Sequence, residues 1–543
     1  MNSEAPFKVW IFAFLILVTT SFLNTSRTVK FQMNTLMTPM NSEALADLVN
    51  DALGWASAHS LSVLLPRKSD ESNDEEIWKN THMPFSLLPN SLPKAEFEKA
   101  EELAPIYNEL VDAISRDRKW LKKIHKDVLE GDPFTSKLIQ IMEEMEGLPQ
   151  QDLCLGLHRS DYMLHSPQNE RPQLLQVEMN TVAVSLGCVS NLTSKLHQFL
   201  LKRYSDFSTN DTKREDHSVS SLIYDYLTSI GIENPCKDTL DFNLPFNSAL
   251  KSIPSALAVA HQTYGIEKGF IIMVIKENEL NAIDQRLIEY GLWEDHKIKM
   301  VRMTLRQIHE QCWLDQDLKM RIGSEKSAST SSIASIVYFR AGYSPDDYPT
   351  EVEWEGRKLI EKSNAIKCPN ISYHLAGTKK VQQVLTEPDQ LERFISPSKA
   401  EKIRSSFAGL WAGNDKNAIA EALNNPSDYV LKPQREGGGN NFFGSEMVEK
   451  IEQSSGKELS SYILMKKLLP PKQNSILLFS GKSKYGATLS EWGFYGCYLG
   501  NGKDEVPILN TYAGHLVRTK FEGINEGGVT TGYACLSSPL LVD

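Results

Sequence analysis

Between Leu431 and Asn441 the chain reads Leu431-Lys432-Pro433-Gln434-Arg435-Glu436-Gly437-Gly438-Gly439-Asn440-Asn441. Consecutive glycines let backbone N–H groups converge on an anion with no Cβ in the way, and they tolerate positive φ angles. Lys432 and Arg435 add positive charge, while Glu436 and the two asparagines offer the hard oxygen ligands that Mg2+ prefers. The chemistry is that of a polyphosphate cradle carrying its own metal ligand. A bare triple glycine is more often a surface turn, and it is the cations, carboxylate and amides packed around it that favour a nucleotide site. The run is not a Walker A sequence, because no Gly-Lys-Ser/Thr follows the glycines.

Three further constellations carry candidate chemistry. In Gln176-Val177-Glu178-Met179-Asn180-Thr181, strand alternation puts Glu178 and Asn180 on one face, where they would complete a Mg2+ shell with Glu436. Arg159, in Leu157-His158-Arg159-Ser160-Asp161-Tyr162-Met163, is equally suited to gripping a carboxylate or phosphate and to pairing with Asp161. His515-Leu516-Val517-Arg518-Thr519-Lys520 places Arg518 and Lys520 on one strand face, and Gly527-Gly528-Val529-Thr530-Thr531-Gly532 after it resembles an anion-binding loop rather than a plain hairpin.

Elements must hold these residues together. With 543 residues and 41% hydrophobic content the chain can bury a large core in about two to four structural units. A formal charge of −11 without a basic patch argues against a nucleic-acid partner. The seven cysteines (Cys154, Cys188, Cys236, Cys312, Cys368, Cys497, Cys535) form no C-x-x-C pair, so buried thiols are expected rather than a zinc site or disulfide framework. Hydrophobic periodicity predicts helices over 42–58, 94–128, 355–365 and 399–408. Short apolar runs at 174–179, 270–276, 335–339 and 462–465 suit buried strands, and 428–431 reads as a strand feeding the glycine loop. The polar stretches 70–76, 205–218 and 323–332 read as exposed. An α/β or α+β fold follows.

At the N-terminus Lys8 precedes the apolar run 9–18, which has the length of a signal-peptide h-region rather than of a bilayer span. Secretion with loss of roughly the first 25 residues is the expectation. The alternative is an upstream start codon before Met33, Met37 or Met40 and a cytoplasmic protein. Asn191, Asn210 and Asn370 stand in N-glycosylation sequons.

Taken together these segments resemble eukaryotic glutathione synthetase, of the ATP-grasp superfamily, from about residue 40 to the end. The resemblance is carried by 155–163, 176–180, Glu279-Leu280-Asn281 with Asp284-Gln285, 337–343, 375–383, 431–441, 461–465 and 517–520. It implies an ATP-dependent ligase joining γ-glutamylcysteine to glycine through an acyl phosphate, a homodimer, and ATP with two Mg2+ ions. By position, Glu178, Asn180 and Glu436 would hold the metal. The nucleotide would meet Lys379, Lys432, Gln434, Gly437, Gly438, Gly439, Asn440, Asn441, Phe443, the hinge Met465-Lys466-Lys467-Leu468, Glu491, Lys520 and Glu526. The peptide would meet Arg159, Val182, Ala183, Val184, Ser185, Glu279, Leu280, Asn281, Gln285, Arg340, Ala341, Gly342, Tyr343, Arg518, Val529 and Thr530, with Arg159 or Arg518 stabilising the reacting carboxyl. The fold implied is an ATP-grasp body over 40–268 and 378–543 with a mobile lid, and an inserted smaller α/β substrate domain over 269–377.

Departures from the family pattern are uneven. Lys466 stands where the hinge has Glu or Gln, and Phe443 stands for Tyr. On the peptide side, Leu280 replaces an Arg, Val182 to Leu186 replaces Ile-Ser-Ala-Ser-Phe, and Thr530-Thr531 replaces Ala-Ala. Loss of an Arg–carboxylate contact is worth about 1.5–3 kcal/mol, which points to Leu280 as the place where substrate preference changes. Three readings follow: a working synthetase, a secreted relative with a changed peptide or amine substrate, and a non-catalytic binding protein on the same fold. Export of synthetase-like proteins by plant-parasitic nematodes is the situation the leader resembles.

Overall fold

The structure, a computed structural model, describes residues 42–67, 77–149, 151–168, 170–205, 218–232, 235, 243–323, 333–435, 439–525 and 527–543. The leader, the 70–76 stretch, nearly all of the loops at 205–218 and 323–332, Asn210 and Cys236 lie outside the described residues, as do Glu436, Gly437, Gly438 and Glu526. Among the described residues no helix is long and apolar enough to cross a membrane.

Three sheets position the site. The largest has seven strands in the order Gln473–Phe479, Phe85–Ser86, Cys535–Ser537, Leu509–Phe521, Lys482–Gly500, Cys154–His165 and Gln173–Asn180. It is antiparallel except for one pairing, and Gln473–Phe479 also pairs with Lys482–Gly500, so part of it closes on itself. The long helix Lys94–Arg116 packs on this sheet and begins at Lys94, as its periodicity predicts; the chain breaks at Asp117, whose side chain accepts from Trp120 N to restart the helix at Arg118.

The second sheet is parallel, ordered Ile366–Cys368, Ala334–Phe339, Phe270–Val274 and Lys299–Met303. Its central strand reads Phe-Ile-Ile-Met-Val, buried throughout, as a parallel strand covered on both faces requires. Phe270, Ile272 and Val274 enter one large core, and Ile271 and Met273 the other. Each such side chain contributes about 1.5–3 kcal/mol by leaving water. The strands end together, so the segments after them, at Ile275, Thr304 and Arg340, gather along one edge.

The third sheet is antiparallel, ordered Leu410–Ala412, Tyr462–Lys466, Tyr429–Pro433 and Phe442–Phe443. It has a small core of its own, in which Ala418, Ala422, Met447 and Ile451 from two helices cover Tyr429, Leu431 and Leu464. The glycine run joins Tyr429–Pro433 to Phe442–Phe443. The six cysteines within the described residues are buried free thiols. Asn191 is buried in a helix, donating to the Asn247 carbonyl, and Asn370 caps the helix Ile371–Ala376, so two of the three sequons serve the fold.

Candidate active site

Four neighbouring strands of the large sheet present charged residues to one cavity of about 280 Å³. Pairing sets Arg159 opposite Asn180, Asp161 opposite Glu178, and Glu491 opposite Arg518. Glu178 and Asn180 share a face, as alternation predicts, and Arg518 and Lys520 share theirs; all four line the cavity. A glycine makes the arrangement possible. Gly493 pairs with Asp161, and a Cβ there would stand 2.8 Å from Asp161 Oδ1 and 2.9 Å from Arg159 Cδ. The sheet face is open at that point, and the ion pair fills it.

Arg159 pairs with Asp161 and also lines the cavity. Its Nε and Nη2 donate to the two Asp161 oxygens at 2.6 and 2.8 Å, and the same side chain lines the cavity. Arg518 Nη2 donates to Asp161 Oδ2 at 3.1 Å and also to Glu491 Oε1. Lys379 Nζ lies 3.5 Å from Glu178 Oε2, and Lys432 Nζ donates to the Val177 carbonyl at 3.2 Å. Burial alone would raise the Glu178 pKa; Lys379, Lys432, Arg518 and Arg159 outweigh it and hold the carboxyl at about 2.

One carboxylate oxygen from each of Asp161, Glu178 and Glu491 lies within 4.8 Å of the others. Asn180 adds an amide whose nitrogen is occupied by the Arg159 carbonyl and Asp161 Oδ2, at 3.3 and 3.1 Å. Such an all-oxygen donor set fits a hard divalent cation, and the cations around it fit a polyphosphate. Asp161 was legible only as a partner for Arg159; its spacing of two on a strand was the signal that it shares their face.

The other end of the cavity has a different character. Arg340 follows the Ala334–Phe339 strand and donates Nη2 to Asp284 Oδ2 at 2.9 Å, while its buried Nε and Nη1 have no hydrogen-bond partner. Asn281 Oδ1 is likewise buried without a partner, and Glu279 and Tyr343 line the same end. Asp284 also accepts the Leu186 and Cys188 backbone N–H groups at 2.9 and 3.0 Å, which ties Arg340 to the loop before the helix Gly187–Tyr204. In that loop Ala183 and Leu186 have φ angles of 51° and 70°, a left-handed backbone rare outside glycine that the sequence does not announce. Val182, Ala183, Val184 and Ser185 line the wall it forms, and Val529 and Thr530 line the same cavity.

A family model described as eukaryotic glutathione synthase, ATP binding domain, matches residues 42–541. The chain belongs to the eukaryotic glutathione synthetase family. It is 38% identical to the chloroplastic glutathione synthetase of Solanum lycopersicum, over 93% of this chain and 85% of that protein. It is 37% identical to the glutathione synthetase of Dictyostelium discoideum, over 92% and 99%, and 34% identical to that of Homo sapiens, over 92% and 97%. The solved apo structure of a glutathione synthetase-like effector from Globodera pallida superposes with a TM-score of 0.68 at 20% identity, covering 94% of this chain and all of that one, and so has the same fold.

Other residues that the synthetase resemblance singles out divide clearly. Gly439, Asn441, Phe443 and Lys432 reach the cavity wall, and Asn440 faces two adjoining clefts. Met465 and Leu468 form a small apolar cluster with Ala408, against which Met163, Leu175 and Val177 pack; Val177 also lines the cavity. Lys466 turns away, its Nζ 3.4 Å from Asp428 Oδ2 and over the Tyr429 ring, so the unusual hinge residue does not enter the site. Gln434 lies outside the cavity, with both ends of its amide bonded to protein. Leu280, Gln285, Ala341 and Gly342 do not line the cavity either: Gln285 is buried, donating to Glu279 Oε2 at 3.3 Å, and Ala341 faces the neighbouring cleft. Lys276, which no sequence motif marks, stands in the wall shared by that cleft and the cavity.

Proposed function

We propose that the chain is an ATP-dependent ligase that joins γ-glutamylcysteine to glycine. The reading is carried by the juxtaposition in one cavity of a cation-rimmed oxygen cluster and an end of unsatisfied groups suited to an amino-acid head group. The nucleotide's adenine would pack on Met465, Leu468 and Val177, and its phosphates would meet Lys432 and Lys520 on the cavity wall and Lys379 behind Glu178. Glu178 and Asn180, with Asp161 and Glu491 beside them, would hold Mg2+, which would neutralise phosphate charge when bound. Arg340 takes the distal carboxylate of the peptide, and Glu279 with Asn281 takes its ammonium.

At the reacting end, a peptide carboxylate oxygen bonds to the γ-phosphorus as the bond to the ADP oxygen breaks. The glycine amine then attacks the acyl carbon, phosphate leaves, and the amine loses a proton. The protein's part is positioning and charge neutralisation, for which Arg159 and Arg518 are placed. The purified chain supplied with ATP, Mg2+, γ-glutamylcysteine and glycine should release one ADP per tripeptide, followed by ADP assay and mass spectrometry. ADP release that ignores the dipeptide would overturn this reading.

A changed peptide or amine substrate is the second reading, favoured by the bulk of Val184 and the hydroxyl of Thr530 on the cavity wall. A panel of dipeptides and amines in the same assay separates the two. We further propose that 269–377 forms the substrate domain on the parallel sheet, that the chain pairs with a second copy, and that the leader directs secretion. Scattering mass in solution and an export assay test the last two.

A further inference from the structure

Residues 434 and 435 stand between the Tyr429–Pro433 strand and the glycine run, and their side chains reach three separate elements. Gln434 Oε1 accepts the Lys380 N–H at 3.0 Å, in the first turn of the helix Lys379–Leu385. Its Nε2 donates to the Ser461 carbonyl at 3.3 Å, beside the strand Tyr462–Lys466. Arg435 Nη1 donates to Asp132 Oδ1 at 2.7 Å, across 303 residues of sequence. Asp132 is 2% exposed and already caps the helix Pro133–Glu144, accepting from Phe134 N at 3.3 Å and Thr135 Oγ1 at 2.6 Å. The Arg435 carbonyl in turn accepts from Lys379 Nζ at 2.5 Å, and that ammonium lies 3.5 Å from Glu178 Oε2.

A continuous chain of contacts therefore runs from a buried carboxylate outside the cavity to the carboxylate at its metal-binding cluster. We propose that Asp132 is a positioning residue for the nucleotide: it fixes Arg435, whose carbonyl fixes the Lys379 ammonium beside Glu178. The inference rests on the nucleotide reading above and adds a residue to it that never meets the ligand. The pairing is strong enough to matter, because a guanidinium bound to a buried carboxylate is charge-assisted and geometrically specific. Gln434 acts alongside as a brace rather than as a nucleotide contact.

Asparagine caps a helix about as well as aspartate, so Asp132→Asn keeps the acceptor for Phe134 N while removing the charge that holds Arg435. Calorimetric titration of the full chain with Mg·ATP is expected to show affinity about tenfold weaker in Asp132→Asn and in Arg435→Met, as for one lost charge-assisted contact. The double variant should bind no more weakly than either single one, since both break the same link. The KM for the dipeptide at saturating ATP should stay near the parent value, which a general loss of structure would not allow, and Arg435→Lys should recover part of the affinity. Unchanged ATP affinity in both single variants, or losses that multiply in the double, would overturn the positioning role while leaving the ligase reading intact. A parent that binds no ATP at all would instead overturn the nucleotide reading and this inference with it. Should Asp132→Asn fail to fold, Asp132→Ser, which also keeps a helix-capping oxygen without the charge, takes its place in the single and the double variant.

Discussion

The two ends of the cavity solve opposite problems. At the proposed phosphate end each of the three acids of the cluster among the described residues has a cation beside it: Asp161 holds Arg159 and Arg518, Glu491 holds Arg518, and Glu178 faces Lys379. At the peptide end, buried polar atoms of Arg340 and Asn281 have no partner. The charges of these acids at the first end are neutralised internally, so on the proposed reading ligand and metal would bind there by exchanging existing partners. The second retains a desolvation cost of about 1–3 kcal/mol for each unsatisfied group until a ligand arrives. Changes at the paired end should therefore alter turnover, and changes at the unpaired end should alter affinity for the peptide.

Acid tests the comparison most severely, through stability. Glu178 titrates at about 2 when folded, below the ordinary carboxylate, so its contribution to stability is lost only as the pH falls from about 4.5 towards 2. Buried histidines outside both ends fail sooner. Burial lowers His125 and His197 to about 4, and His158, His374 and His515 to about 3. Below an ordinary pKa of about 6.5 the unfolded chain gains protons that the folded chain refuses, so stability is full above that pH and falls beneath it. The loss is about 1.4 kcal/mol per histidine per pH unit, several kcal/mol in all by about pH 5.5. Melting curves should drop steeply between about pH 6.5 and 5 while the Glu178 network is still ionised. A flat melting temperature across that window would show that these histidines find water or partners when protonated.

At the paired end, Glu178→Gln removes the charge at the centre of the oxygen cluster. Loss of a preorganised electrostatic contact to a transferring phosphoryl group costs about 3–4 kcal/mol, so turnover should fall at least about a hundredfold. The KM for the dipeptide should move little. Steady-state kinetics at saturating Mg2+ read the split, and parent-like ATP consumption would remove Glu178 from the reaction.

Much of this was legible in the sequence because it depended on local pattern. Alternation put Glu178 beside Asn180 and Arg518 beside Lys520, and the all-apolar run from Phe270 gave a strand buried on both faces. What stayed hidden depends on which strands become neighbours. Nothing local reveals that Gly493 clears the space for the Arg159–Asp161 pair, or that Arg435 reaches a helix cap some 300 residues earlier. The left-handed turns at Ala183 and Leu186 were invisible for a related reason: alanine and leucine carry no signal for positive φ, and only the surrounding contacts impose it.

Arg340→Met sharpens the other half of the comparison. Asp284 keeps the backbone N–H groups of Leu186, Cys188 and Val189, which go on satisfying its oxygens when the arginine is lost. One charge-assisted contact to the peptide is removed, about 1.5–3 kcal/mol, which raises the KM for γ-glutamylcysteine about 10- to 100-fold. 4-Aminobutyrylcysteine lacks the distal carboxylate and should be used equally well by parent and variant. Equal losses for both donors would place the peptide in another orientation.

The smallest effect is expected at Leu280, where the sequence alone points to the largest change in substrate preference. Its side chain does not line the cavity; its carbonyl accepts from Leu64 N at 3.4 Å, and the segment turns there into the helix Ala282–His296. An arginine introduced at 280 would have to reach past Glu279 and Asn281 to meet a ligand, and Glu279 would be its nearest competitor for charge. Leu280→Arg should therefore change the KM for γ-glutamylcysteine by less than about twofold, within the small effect of a charge that reaches solvent and is screened there. A tenfold fall in that KM, with the KM for ATP unchanged, would show that a peptide carboxylate does reach position 280. The unsatisfied atoms of Arg340 and Asn281 would then need a different occupant.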